Sequence, residues 1–96
     1  EFAILMPNTG LADGYTAARR LARRTRQNPI FLGSRTLTLT ASFGVAALPP
    51  GTTLDTALKQ ADRALYRAKH AGRNRACRYD PKLDHTPQPL AATEHN

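Results

Sequence analysis

Two cations stand at the end of the most strongly helical stretch of this sequence: Lys69, and Arg73 just beyond Gly72. Taken from the residues alone, cations at that place complement the negative end of a helix dipole. A second set, Arg19, Arg20, Arg23, Arg24 and Arg26, crowds one earlier helical segment and invites a phosphate backbone or an acidic partner. A solvated helix face is the commoner reading of such a run. No aromatic residues interleave with these arginines, so a nucleic-acid partner is not the expectation. Glu1 offers a carboxylate oxygen, the ligand type that hard cations take, but a single carboxylate at a chain end is expected to fray and does not assemble a metal site. His70 projects from a polar helix face and His85 and His95 lie in the tail, so no metal-ligand spacing arises.

The composition sets bounds on these chemistries. Fourteen Lys and Arg against seven Asp and Glu give a formal charge of +7, which favours polyanionic partners. The 96 residues, 41% of them hydrophobic, suit one modest core. The single cysteine, Cys77, excludes an internal disulfide and reads as a small buried hydrophobe. No apolar run approaches the roughly 20 residues of a membrane helix, and a cytoplasmic location is the default expectation.

The elements that must position these groups follow from periodicity. Phe2 to Met6 is continuously apolar and closed by Pro7-Asn8-Thr9-Gly10, which predicts a buried strand and a turn. Leu11, Tyr15, Ala18 and Ala22 form one stripe of a helix that Asn28-Pro29 ends. Ile30 to Leu32 with Gly33-Ser34 predicts a hairpin into an alternating strand from Thr36 to Ala46. Within it Gly44 marks a bulge or a close approach by another backbone. Thr53 and Asp55 open a second helix with the stripe Leu54, Leu58, Ala61, Leu65 and Ala68, and Gly72 suits the left-handed position after it. Arg75 to Tyr79 completes the set as a short strand. The order is α+β, with helices packed on one face of a mainly antiparallel sheet. Residues 1–79 form the folded unit, and the proline-containing polar segment 80–96 reads as a disordered tail.

Three stretches resemble the GGDEF domain family in the family's own order. Glu1-Phe2-Ala3-Ile4-Leu5-Met6-Pro7-Asn8-Thr9 is similar to the end of the GG[DE]EF signature and its following strand. Thr40-Ala41-Ser42-Phe43-Gly44-Val45-Ala46 resembles the central "SIGVA" strand, and residues 61–74 resemble the closing "AD-ALY-AK-GRN" block. The resemblance implies part of a nucleotidyl-cyclase-like palm and the condensation of two GTP molecules into cyclic di-GMP, with release of pyrophosphate. It implies that Lys69 and Arg73 hold the β and γ phosphates, that Glu1 stands beside the Mg²⁺-binding position, and that two domains meet as a homodimer. Arg20 matches a helix arginine that contacts cyclic di-GMP in inhibited members, although Arg19 stands where the family usually has an acidic residue. The family's first strand and helix, principal metal ligand and base-reading groups would precede Glu1, so these 96 residues alone are expected to be inactive and prone to association. Two other readings stay open: a degenerate domain that senses GTP or cyclic di-GMP, and a basic module that docks nucleic acid or an acidic partner.

Overall fold

The apolar stripe after Gly10 produces helix α1 (Leu11–Gln27), whose buried face is Gly14, Ala18 and Ala22, one residue every four. Asp13 lies in its positive first turn, and the Asn28 side-chain amide closes its last turn by donating to the Arg24 carbonyl at 2.6 Å. These elements come from a computed structural model that describes residues 1–84. Pro29 then forces extended chain, and β1 (Ile30–Leu32) pairs antiparallel with β2 (Arg35–Leu37) in the register Ile30 to Leu37, across a turn in which Gly33 has φ of 63°.

Helix α2 (Leu54–His70) begins where the Thr53 hydroxyl accepts a hydrogen bond from the Thr56 amide at 3.1 Å. It ends on Gly72, at φ of 120°, with the Arg73 amide donating back to the Ala68 carbonyl at 3.0 Å. This is the closing pattern expected of a left-handed glycine, and it releases the chain into β4 (Ala76–Arg78). β4 runs parallel to β3 (Phe43–Val45) in the register Phe43 to Ala76 and Val45 to Arg78, with α2 as the crossover.

The architecture is α+β, with one antiparallel and one parallel pair of strands, as part of a palm-like fold. Three details of the expected layout change. First, the helices lie on opposite faces of the parallel pair, not on one. Gly44 points at α2, where an added Cβ would fall on the Ala61 carbonyl oxygen and the Leu65 amide nitrogen; Val45, the next residue, has its Cγ1 against Gly14 of α1. Neighbouring strand residues face opposite sides, and parallel strands need cover on both.

Second, the alternating run from Thr36 to Ala46 is not one strand but β2 and β3 separated by residues 38–42, which have no ladder partner among the described residues. Third, Phe2 to Met6 is not a buried strand. No described strand pairs with it, and Phe2 is 99% exposed and Leu5 68%. Contacts to the fold continue past Tyr79. The Asp84 amide donates to the Asp80 carbonyl at 2.7 Å, and the Arg67 guanidinium grips both Asp84 oxygens, from Nε at 2.9 Å and from Nη2 at 2.8 Å. Residues 85–96 of the expected tail lie outside the described residues.

Where the core forms, it is built from small side chains: Ala18, Ala22, Ala57, Ala64, Ala68 and Ala76. Alanine lets helix and strand backbones approach closely but removes little apolar area per residue. Backbone fit therefore counts for more here than bulk.

Two outcomes follow. Gly44→Ala is expected to cost about 3 kcal/mol or more, the upper end of overpacking penalties, because backbone rather than a flexible side chain blocks the methyl; urea unfolding measures it, and an unchanged midpoint contradicts it. The Arg67 guanidinium, foremost by hydrogen bonding, holds the buried Asp84 carboxyl below the ordinary carboxylate range, so its contribution is complete at neutral pH and is lost as pH falls through that depressed value. Asp84→Asn is expected to cost about 1–3 kcal/mol at neutral pH and to flatten the acid limb of a stability-against-pH curve. Parallel curves for the two proteins would remove the strap from the account.

Candidate functional site

Seating Ala68 in the core fixes the direction of its neighbour Lys69. The stem of Lys69 packs at the boundary, leaving the side chain 12% exposed, and its ammonium donates to Glu1 Oε2 at 3.1 Å. Residues 68 positions apart thus meet. Glu1 is not frayed as its terminal position led us to expect: an ion pair and further contacts hold it.

Arg73 is presented differently. Its φ of 61°, followed by 52° at Asn74, continues the left-handed turn begun at Gly72 and carries the guanidinium out to solvent. The backbone beneath it is fixed from three sides. The Arg73 amide is bonded to Ala68, the Arg73 carbonyl accepts from Arg75 Nε at 3.0 Å, and the Asn74 amide donates to Ser42 Oγ at 3.1 Å. An exposed cation on a rigid turn suits recognition of an anion, since little backbone order remains to be imposed on binding.

Ser42, Asn74 and Arg67 were not singled out from the sequence. Ser42 and Asn74 couple the turn to the segment just before β3, and Asn74 Oδ1 is buried without a hydrogen-bond partner, an acceptor beside the exposed cation. The signal available was an asparagine after glycine and arginine, since asparagine tolerates a left-handed backbone better than most residues. Nothing local marked Arg67, because its partner Asp84 lies 17 residues ahead.

Arg20 is placed elsewhere. It lines a groove between α1 and the chain after α2, a groove that neither Glu1, Lys69 nor Arg73 lines. His70 turns to the Tyr66 carbonyl at 3.0 Å and stacks on the Tyr66 ring, and His85 and His95 lie outside the described residues. Among the described residues no three His, Cys, Asp or Glu side chains gather to hold a metal ion, and no helix is long and apolar enough to cross a membrane.

A basic residue at the exit of the crossover helix, facing a carboxylate at the start of the fold, is joined by a sequence match over the same elements. The model of the family described as diguanylate cyclase, GGDEF domain, matches residues 1–75. The chain belongs to the GGDEF family. Response regulator PleD of Caulobacter vibrioides is 39% identical over 77 residues, covering 77% of this chain and 17% of that protein. Diguanylate cyclase DgcP of Pseudomonas aeruginosa is 36% identical over 75 residues, covering 78% of this chain and 11% of that protein. Cyclic di-GMP phosphodiesterase NbdA of the same organism is 38% identical over 77 residues, with 79% and 10% covered. This GGDEF chain therefore spans less than a fifth of the length of these relatives.

Because the Glu1 side chain is 42% exposed, its pair with Lys69 is expected to contribute at most about 1 kcal/mol to stability. A double-mutant cycle between Glu1→Gln and Lys69→Met in urea unfolding checks this. A coupling several times larger would mark the pair as a structural strut rather than an accessible site.

Proposed function

We propose that this chain forms the phosphate-binding side of a diguanylate cyclase domain, with Lys69 and Arg73 holding the β and γ phosphates of GTP. The ammonium of Lys69 beside Glu1 is the observation that carries this reading. It shows an oriented cation whose present partner is an exposed, exchangeable anion. Arg73, four residues on and on a rigid turn, adds a planar donor with the geometry that phosphate oxygens favour.

In the reaction a ribose 3′-hydroxyl of one GTP gives up its proton to water, and its oxygen forms a bond to the α-phosphorus of the other. The bond from that phosphorus to the bridging oxygen of the β-phosphate breaks, and pyrophosphate leaves with the electron pair. Repeating the step in the opposite sense closes the ring of cyclic di-GMP, which requires two domains face to face as a homodimer. Fixed cations on the β and γ phosphates lower the barrier by matching negative charge as it develops on the leaving group.

The carboxylates here do not fit a complete Mg²⁺ site. Glu1 is one oxygen donor already engaged by Lys69, and no metal-binding cluster exists among the described residues. Glu1 is a candidate to contribute one ligand or to sit beside the ion; no step is derived through the metal. Arg20, on the other helix, is proposed as a contact for cyclic di-GMP acting as an inhibitor.

A second reading is a domain that binds GTP or cyclic di-GMP as a sensor without forming product. The two readings share the phosphate contacts and differ in turnover.

Lys69→Met and Arg73→Met are each expected to weaken GTP binding by roughly 10-fold to 100-fold, the loss of one charge-assisted contact, while guanosine binding stays unchanged. Equilibrium dialysis with both ligands checks this. Equal loss for GTP and guanosine, or no loss for either variant, would contradict the phosphate assignment.

A further inference from the structure

The groove beside Arg20 has a volume of about 860 Å³ and is walled by arginine. Arg19, Arg20, Arg23 and Arg26 line it from α1, and Arg67 and Arg75 from across, with no carboxylate among the lining residues. Arg67 is committed to Asp84 and Arg75 donates to the Arg73 carbonyl. The α1 arginines have no acidic partner among the described residues. Arg19 and Arg23 stand four apart on α1, and Arg23 and Arg26 three apart, spacings at which like charges repel by a few tenths of a kcal/mol each. By contrast α2 neutralises its own surface with the Asp55–Lys59 pair.

The groove floor is made of small side chains, Ala22, Ala71, Ala76 and Cys77, so a chain can lie along it. From Arg19 to Arg23 the helix rises about 6 Å. Alternate side chains of an extended peptide repeat at roughly 6.6 Å on one side, close to the same interval. Tyr15, the aromatic residue in the groove, has its ring within 5.7 Å of Arg19 Cζ and 5.1 Å of Arg78 Cζ. Two guanidiniums therefore already compete for its faces, which leaves a poor platform for stacking a nucleobase.

From these features we infer that the α1–β4 groove is a docking site for an extended acidic segment of a partner protein, with carboxylates at alternate positions bound by Arg19, Arg23 and Arg26. This surface is separate from the phosphate site at Lys69 and Arg73, and the inference stands whether or not that site binds GTP; it includes Arg20, so a bound acidic segment and cyclic di-GMP would compete there. Carboxylates accept paired hydrogen bonds from guanidinium, and the bound segment relieves the repulsion along α1.

The test is fluorescence anisotropy of a labelled short peptide of alternating glutamate and alanine, run with the 96-residue chain. Comparison ligands are a lysine–alanine peptide and an oligothymidine of similar length. Charge reversal at Arg23→Glu with Arg26→Glu is expected to weaken the glutamate peptide by at least about 10-fold, as for loss of two charge-assisted contacts. Arg35→Glu, on β2 outside the groove, is expected to change it by less than about 2-fold, as a distant screened charge should. The milder Arg23→Gln with Arg26→Gln pair is expected to show an intermediate loss, with helical circular dichroism confirming that each variant folds. No binding of the glutamate peptide, equal loss from Arg35→Glu, or tighter binding of oligothymidine than of the peptide would each overturn the inference.

Discussion

The close approach of α2 to β3 over Gly44 is the constraint on which the rest of the structure depends. A helix backbone can touch a strand backbone only where the strand has no side chain on that face, and Gly44 provides that single gap. With α2 held there, Ala64 and Ala68 are sealed from solvent, and the helix exit is fixed relative to the parallel pair. The direction of Lys69 and the starting point of the Gly72–Asn74 turn follow. The chemistry of the site is thus a consequence of one backbone contact 25 residues earlier in the chain than Lys69.

Two secondary ties keep that exit in place. Ser42 anchors the turn through the Asn74 amide, and Arg67 binds the segment after β4 through Asp84 while its Nη2 also donates to the Arg78 carbonyl at 2.7 Å. Arg67 remains protonated, its pKa raised chiefly by the hydrogen bond to Asp84, so the tie depends on the ionisation of the carboxylate alone. Both ties are polar and directional, which suits a core made of alanine. Such a core contributes less transfer free energy than one of leucine or phenylalanine, and orientation must come from hydrogen bonds.

Much of this was legible in the sequence wherever the controlling interaction is local. Helices α1 and α2, the Thr53 cap, the Gly72 exit and the Gly33 hairpin depend on residues within a few positions of one another, and all are present; the buried face of α2, however, is Ala57, Ala64 and Ala68, and Leu54 and Leu58 of the expected stripe are exposed. Gly44 was recognised as a close approach, yet the face it serves depends on where α2 returns, and so the helices were assigned to one side. The pairing of β3 with β4, the seat of Glu1 on Lys69 and the Asp84 strap join residues 17 to 68 positions apart. Periodicity carries no information about such partners. Phe2 to Met6 shows the same limit from the other direction: an apolar run specifies a wish for burial but does not supply the neighbouring strand. Lys69 and Arg73 were legible only through the family resemblance, since cations at a helix end serve the dipole equally well.

On the proposed function, α2 delivers Lys69 and Arg73 to one triphosphate. A crystal structure of this chain soaked with GTP tests it most directly. The β- and γ-phosphate oxygens are expected within about 3 Å of the Lys69 ammonium and the Arg73 guanidinium, with Lys69 released from Glu1. A nucleotide bound elsewhere, or one that leaves the Lys69–Glu1 pair intact, would contradict it.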